Sequence, residues 1–162
     1  MTEPSSRKQS STNSDASSEG FSEEERAAMK ARAAELRAEK LTPRGVKKAE
    51  AEAEAVHEKI ASMPESDREL AQGVYDLVLA AAPELAPKLW YGQPAYALDG
   101  TVICFFRSGL GDKERYSTFG VSSAANLDDD TGLWATGFAL TALTPAAKQQ
   151  ITALVTKAVS KR

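Results

Sequence analysis

The residues of this chain best suited to bind a metal ion are three consecutive aspartates: Asp128, Asp129 and Asp130. They fall in a stretch from Ser122 to Leu133 that reads as irregular, where adjacent carboxylates can supply oxygen ligands to a hard cation such as Fe or Ca. The calcium-loop pattern does not fit, because Gly132 is misplaced and Ala139 stands where the bidentate glutamate belongs. Adjacent aspartates also form turns and helix caps, so both interpretations stay open.

A second group of residues combines aromatic rings with cations and an amide near the predicted strand ends. Such side chains favour a pocket for a small anionic or aromatic ligand. The same residues also suit the ordinary core and rim of a sheet, which is the alternative interpretation. The candidate ligand-binding residues are Trp90, Tyr91, Gln93, Tyr96, Arg107, Arg115, Tyr116 and Trp134.

Known catalytic and nucleotide-binding patterns are missing from the sequence. Gly109 and Gly111 lie in a glycine-rich stretch, but Glu114 occupies the place of the third glycine of a dinucleotide fingerprint, and no phosphate loop follows. The single histidine, His57, has no Ser or Cys placed to pair with it and cannot anchor a usual zinc site alone. The sequence therefore favours a binding protein over an enzyme.

Composition indicates a globular protein of the cytoplasm. The 162 residues are 42% hydrophobic and 27% charged, with a net charge of −3, so there is no basic excess for nucleic acid. One cysteine, Cys104, excludes an internal disulfide and fits a reducing compartment. No apolar run reaches the length of a membrane span, and no signal peptide is evident. We expect no nucleic-acid or membrane partner; the oligomeric state stays open.

The chain divides into three predicted parts. Residues 1–20 are Ser-rich and polar, which predicts a disordered tail. Residues 21–48 form a helical extension, in which Ser22 and Glu25 make a capping box and the helix ends near Lys40. Residues 49–162 form the main α+β domain.

Three further helices follow from apolar residues spaced by three and four. One runs from Val46 to Ser62 and carries four glutamates that also suit a solvated face. The next begins with a capping box at Ser66 and ends near Ala82. The last begins at Thr144, which caps a helix with Pro145 at its first position.

Between these helices lies a run of antiparallel strands. Asp99 and Gly100 separate two apolar runs and predict a two-residue type I′ hairpin. Residues 84–88 read as a turn before it, residues 115–121 as another strand, and residues 134–143 as the final strand. The predicted fold is α+β, with a sheet of about four strands packed by helices. The hairpin predicts these facing pairs: Leu98 with Thr101, Ala97 with Val102, Tyr96 with Ile103 and Ala95 with Cys104.

The run APELAPKLWYGQPAYALDGTVICFF resembles the signature of the YdhG-like family (DUF1801) of bacteria. In that family a helix leads into a W-x-x-P-x-Y motif and a hairpin, and the likeness covers roughly residues 51–160. The resemblance implies an α+β fold and, for some members, a frataxin-like role as an iron chaperone; it carries over no catalytic residue. The matching residues are Pro83, Glu84, Leu85, Lys88, Trp90, Pro94, Tyr96, Gly100 and Phe105.

Two functions follow as expectations. The first is iron binding and delivery to a protein partner, with Asp128 to Asp130 or the glutamates from Glu50 to Glu58 as ligands for Fe. The second is a small-ligand or protein-interaction module that uses the aromatic residues around Trp90 and Tyr96 without a metal. The second function requires Trp90 or Tyr91 to be exposed.

Overall fold

The computed structural model of this protein describes residues 22–41 and 45–161, apart from the side chains of residues 38–41. The predicted tail, 1–20, lies outside the described residues. Within them, four α-helices correspond to the four predicted helices, and the proposed division at residues 48 and 49 stays a prediction. Their bounds are α1, Glu23–Leu41; α2, Val46–Ala61; α3, Glu65–Ala81; and α4, Pro145–Ala158.

Two of the three predicted helix caps are confirmed in their bond from backbone amide to cap hydroxyl, and the return bond of the capping box at Ser22 and Glu25 stays a prediction. The Ser22 hydroxyl accepts a hydrogen bond from the Glu25 amide at 3.1 Å, and the Thr144 hydroxyl accepts one from the Ala147 amide at 3.1 Å. The cap predicted at Ser66 is wrong, since α3 starts one residue earlier, at Glu65, after Pro64.

Five antiparallel strands form one sheet in the order β1-β2-β3-β4-β5, which confirms the α+β prediction and adds one strand to it. A short 3-10 helix, Leu110–Asp112, lies in the connection between β3 and β4. The strands are β1, Ala86–Trp90; β2, Gln93–Leu98; β3, Thr101–Arg107; β4, Ser117–Val121; and β5, Gly137–Leu140.

The additional strand is β1, which occupies part of the stretch predicted as a turn before the hairpin. Its sequence, APKLW, lacks the alternation typical of strands and contains Pro87. Because β1 lies at the edge of the sheet, a proline is tolerated there. A two-residue turn, Tyr91 and Gly92, joins β1 to β2, with Trp90 opposite Gln93.

The hairpin at Asp99 and Gly100 is confirmed, with φ of 50° and 84° at these two residues. The predicted pairing is correct only near the turn. Beyond Ala97 the register shifts by one residue, so Tyr96 faces Cys104 and Ala95 faces Phe105. A β-bulge places one extra residue, Ile103, on β3, and local pattern alone did not reveal it.

The last strand is much shorter than predicted. β5 covers four residues, Gly137–Leu140, so Trp134 lies in the irregular segment before it. β5 pairs with β4 on one side, with Phe119 opposite Phe138.

The two faces of the sheet differ in what covers them. Tyr96, Cys104 and Val121 pair across three strands and therefore share one face, here called the inner face. They belong to the buried core together with Val74 of α3 and Val155 of α4. The opposite side, the outer face, carries Phe105, which is outside that core.

Candidate binding site on the outer face of the sheet

The strand register gathers two rows of side chains on the outer face. Lys88, Ala95, Phe105 and Gly120 lie in one row across β1 to β4. In the second row, Trp90 of β1 faces Gln93 of β2, each two residues from a member of the first row. Because side chains alternate between the two faces along a strand, Arg107, two residues after Phe105, also lies on the outer face. The outer face therefore brings together aromatic, amide and guanidinium groups from three strands.

Trp90 is the centre of an aromatic cluster. Its ring lies 5.0 Å from the Tyr91 ring in an edge-to-face arrangement and 5.4 Å from the Phe105 ring. These distances fall in the range of favourable ring contacts, worth about 0.5–1.5 kcal/mol per pair beyond burial. Trp90 is half-buried and Tyr91 is 48% exposed, as the interaction hypothesis requires.

The position of Phe105 depends on a glycine in the neighbouring strand. Gly120 pairs with Phe105, and a Cβ added at Gly120 would lie 2.3 Å from the Phe105 Cζ atom. The Phe105 ring therefore rests directly on the Gly120 backbone. Only glycine leaves room for a ring at that position.

These rings border a cavity of about 220 Å³ between the sheet and the first turns of α1. We call it the aromatic pocket. Helix α1 forms one wall, the three rings another, and the end of β3 with its loop the rest. The lining residues are Glu24, Glu25, Ala28, Trp90, Tyr91, Gln93, Phe105, Arg107 and Asp112.

The tight turn after β1 explains why Tyr91 projects from the sheet. Tyr91 and Gly92 have φ of 51° and 76°, the positive values that a type I′ turn requires at both positions. A positive φ is uncommon for a tyrosine, and such conformations occur at binding sites more often than elsewhere. The turn thus presents an aromatic ring at the tip of a hairpin.

Contacts with this same turn hold α1 against the sheet. The Gly92 amide donates a hydrogen bond to the Glu35 carboxylate at 2.8 Å. Arg32 forms an ion pair with Glu35 at 3.3 Å, and its guanidinium lies 5.9 Å from the centre of the Tyr91 ring. Tyr91 therefore already carries one cation on its ring, supplied by the protein itself.

Carboxylates outnumber cations around the aromatic pocket. The Arg107 guanidinium donates to Asp112 through a short hydrogen bond and to Glu114 at 3.2 Å. The hydrogen bond to Asp112 raises the pKa of Arg107, partial desolvation opposes it, and the nearby carboxylate charges add to the rise. Among the lining residues, three carboxylates, including Glu24 and Glu25, face one arginine. The charge favours a cation, whereas the sequence predicts a pocket for a small anionic or aromatic ligand.

A buried aspartate, which the sequence did not single out, positions the loop beside Arg107. Asp67 in the first turn of α3 is only 4% exposed. Its carboxylate accepts hydrogen bonds from the hydroxyls of Ser108 and Ser117, the latter at 3.3 Å, and from the Leu110 amide at 3.0 Å. This network fixes both ends of the connection between β3 and β4, which carries Asp112.

The other predicted ligand-binding residues lie away from the aromatic pocket. Tyr96 is fully buried on the inner face, and its hydroxyl has no hydrogen-bond partner among the described residues. Desolvation by burial is the main cause that raises the pKa of Tyr96 well above its usual value. The charges of Cys104, Tyr75 and Asp76 add to this rise.

Three more of these residues lie in other parts of the molecule. Arg115 lies over the Tyr116 ring at 5.2 Å, and both border a separate cleft beside α3. Trp134 is 42% exposed and lies in the segment before β5. The structure thus brings together four of the eight predicted residues: Trp90, Tyr91, Gln93 and Arg107.

The three aspartates are exposed, and one of them stabilises a turn. The Asp129 carboxylate accepts hydrogen bonds from the Thr131 amide at 2.9 Å and the Thr131 hydroxyl at 2.8 Å. These bonds lower the pKa of Asp129. Among the side chains that the structure describes, no three of His, Cys, Asp or Glu are grouped as a metal site requires. Iron binding at Asp128 to Asp130 stays a prediction.

Comparisons with family models, with curated proteins and with solved structures each return no match to this chain. The resemblance to the YdhG-like family stays a prediction from the residues that carry it. Within the described part of the chain, no helix combines the length and the apolar character needed to cross a membrane.

Proposed function

We propose that this protein is a binding module whose aromatic pocket accepts an organic cation, such as a guanidinium or alkylammonium group. The observation that carries the proposal is the combination of three aromatic rings with the carboxylates of Glu24 and Glu25 around one cavity. A cation held against such rings gains about 0.5–2 kcal/mol from each favourable ring contact. The carboxylates add a Coulombic preference for positive charge.

Two features of the pocket support this ligand class. The one arginine in the lining, Arg107, is already paired with Asp112 and Glu114, so its charge is compensated. The Arg32 guanidinium at the Tyr91 ring is an example, inside the protein, of the interaction that a ligand would make. Arginine and lysine side chains of a peptide carry these same guanidinium and alkylammonium groups.

The test uses Trp90 as the reporter. The chain has two tryptophans, so Trp134→Phe leaves Trp90 alone without altering the pocket. We expect its fluorescence to change and saturate on titration with N-acetylarginine amide or tetramethylammonium. Which of the two binds more tightly distinguishes guanidinium from alkylammonium recognition. N-acetylglutamate should produce no saturable change.

A charge-matched pair of variants provides the control. Glu24→Gln removes a carboxylate from the pocket and should weaken cation binding about three- to tenfold, a loss of about 1 kcal/mol. Glu23→Gln removes the same charge from the same helical turn, but Glu23 is not part of the lining. Equal effects of both variants, or equal binding of cation and anion, would refute the proposal.

Iron delivery remains a second proposal. It rests on the carboxylates from Asp128 to Asp130 and on the YdhG-like resemblance, and it involves a surface apart from the aromatic pocket. The two proposals are therefore testable independently, and the iron titration is described in the Discussion.

A further inference from the structure

The edge of the sheet formed by β5 is open. Among the described residues, β5 pairs with β4 and with no other strand, which leaves one row of backbone N–H and C=O groups without a strand partner. Exposed edges of this kind are templates for pairing with another strand, and proteins usually protect them with charged residues, proline or bulges. β5 is short, at four residues, and its sequence, GFAL, has no charge, proline or bulge.

The absence of charge extends well beyond the strand. Residues 131–147 contain no charged residue, in a chain that is 27% charged overall. Two large apolar side chains in this stretch are exposed, Leu133 at 81% and Trp134 at 42%. Another copy that pairs along this stretch would therefore meet no like charge from residues 131–147.

A cleft of about 350 Å³ lies between this edge and α4. The sheet contributes Phe119 and Phe138, and α4 contributes Ile151 and Leu154. Gln150 is the one residue of the lining with a polar side chain. A strand added to β5 would extend the sheet over this cleft, and its inner side chains would fill it.

We propose that the occupant of this edge is β5 of a second copy, paired antiparallel about a two-fold axis perpendicular to the sheet. Such an axis makes the interface isologous, so each copy offers the same open edge and the same cleft. It also keeps both inner faces on the same side. The two five-stranded sheets then become continuous, and the two clefts close against each other.

Self-pairing suits this edge because the exposed apolar residues and part of the cleft lining come from one uncharged stretch, residues 131–147. Leu133 and Trp134 are exposed four and three residues before Gly137, and all four residues of β5 line the apolar cleft. The edge can accept an uncharged strand, and β5 of a second copy is such a strand. This inference concerns the sheet edge opposite β1 and does not depend on the aromatic pocket.

The oligomeric state of the purified full chain tests the proposal. We expect light scattering after size exclusion to give twice the monomer mass of 17.3 kDa at high micromolar concentration. Hydrogen exchange of the amides from Gly137 to Leu140 should slow as concentration rises. The proposal would be overturned if the chain is a monomer at every concentration and hydrogen exchange at β5 does not depend on concentration. That outcome would leave a different protein as the possible occupant of the edge.

Charge variants locate the interface. Ala139→Lys adds a lysine to each copy close to the two-fold axis and should weaken dimerisation at least tenfold. Leu133→Lys, outside the strand, provides the same test if Ala139→Lys alters the circular dichroism spectrum. Val46→Lys adds the same charge at an apolar position that is 74% exposed on α2, and should leave the dimer intact. A dimer that persists in both edge variants would show that β5 does not mediate it.

Discussion

The buried carboxylate of Asp67 accepts a hydrogen bond from the hydroxyl of Ser108, which lies just after β3. This contact joins the start of α3 to a loop 41 residues further along the chain. Through Ser117 the same carboxylate holds the start of β4. Asp67 does not line the aromatic pocket, but it holds the loop that carries Asp112. Because Asp112 is the partner of Arg107, Asp67 helps to position the wall of the pocket.

Replacing Asp67 should destabilise the fold. Asp67→Asn keeps the shape but removes the negative charge and replaces one of the two acceptor oxygens by an NH2 group, so the three donors can no longer all be satisfied. We therefore expect a loss of about 1–3 kcal/mol in the free energy of unfolding. Urea denaturation measures this loss. Asp76→Asn is the control in the same helix, since Asp76 is exposed and bonded to Gln72, and should change stability by less than about 0.5 kcal/mol. Equal losses in the two variants would contradict the role assigned to Asp67.

Filling Gly120 should disturb the aromatic cluster. A methyl group at Gly120→Ala collides with the Phe105 ring, so the ring must move relative to Trp90. We expect destabilisation of about 1–3 kcal/mol and a changed near-ultraviolet circular dichroism spectrum. Gly137→Ala is the matched control, because Gly137 faces Gly120 on the neighbouring strand and a Cβ added there meets nothing within 4 Å. An unchanged spectrum for Gly120→Ala would rule out the close packing of Phe105.

Removing Glu35 should loosen α1. Glu35→Ala deletes the acceptor of the Gly92 amide and the ion-pair partner of Arg32. A charge-assisted hydrogen bond contributes about 1.5 kcal/mol, so amide exchange in α1 should accelerate about tenfold. Lys30→Ala, an exposed change on the same helix, should leave exchange near its original rate. Exchange in α1 that is insensitive to Glu35 would mean that other contacts dock the helix.

Cys104 should be unreactive in the folded protein. Burial raises the pKa of its thiol to about 12, so the nucleophilic thiolate is scarce at pH 8. Because the pKa of this thiol is higher in the folded than in the unfolded protein, its stabilising effect on the native state is fully present below the unfolded pKa. The free energy of unfolding then falls as pH rises from the unfolded pKa through about 12. We expect Ellman's reagent to label Cys104 only as fast as the protein unfolds. Rapid labelling without denaturant would contradict the buried position.

The iron proposal predicts a response at Asp128 to Asp130. Under anaerobic conditions, micromolar ferrous iron should broaden the amide resonances of these residues in NMR spectra. Asp128→Asn combined with Asp129→Asn should abolish the broadening while the fold persists. Thr131→Ser is the control that keeps the hydroxyl bonded to Asp129. No broadening up to millimolar iron would end the iron proposal and leave the aromatic pocket unaffected.

Local signals in the sequence determined the helices, two of their caps and the hairpin at Asp99 and Gly100. Each depends on residues a few positions apart, such as Ser22 with Glu25 or a glycine that accepts positive φ. The α+β class followed from their order along the chain. Trp90, Tyr91, Gln93 and Arg107 were also recognised as candidates from residue type alone.

Tertiary structure decided which of these residues meet. The bulge near Tyr96, the edge position of β1 and the burial of Asp67 all depend on partners distant in sequence, which no local pattern records. The β1–β2 turn and the Gly120 contact gathered the aromatic rings. The same packing enclosed Tyr96 in the core and left β5 open. Local propensity therefore set the elements, whereas long-range pairing set their register, and register determines which side chains share a face.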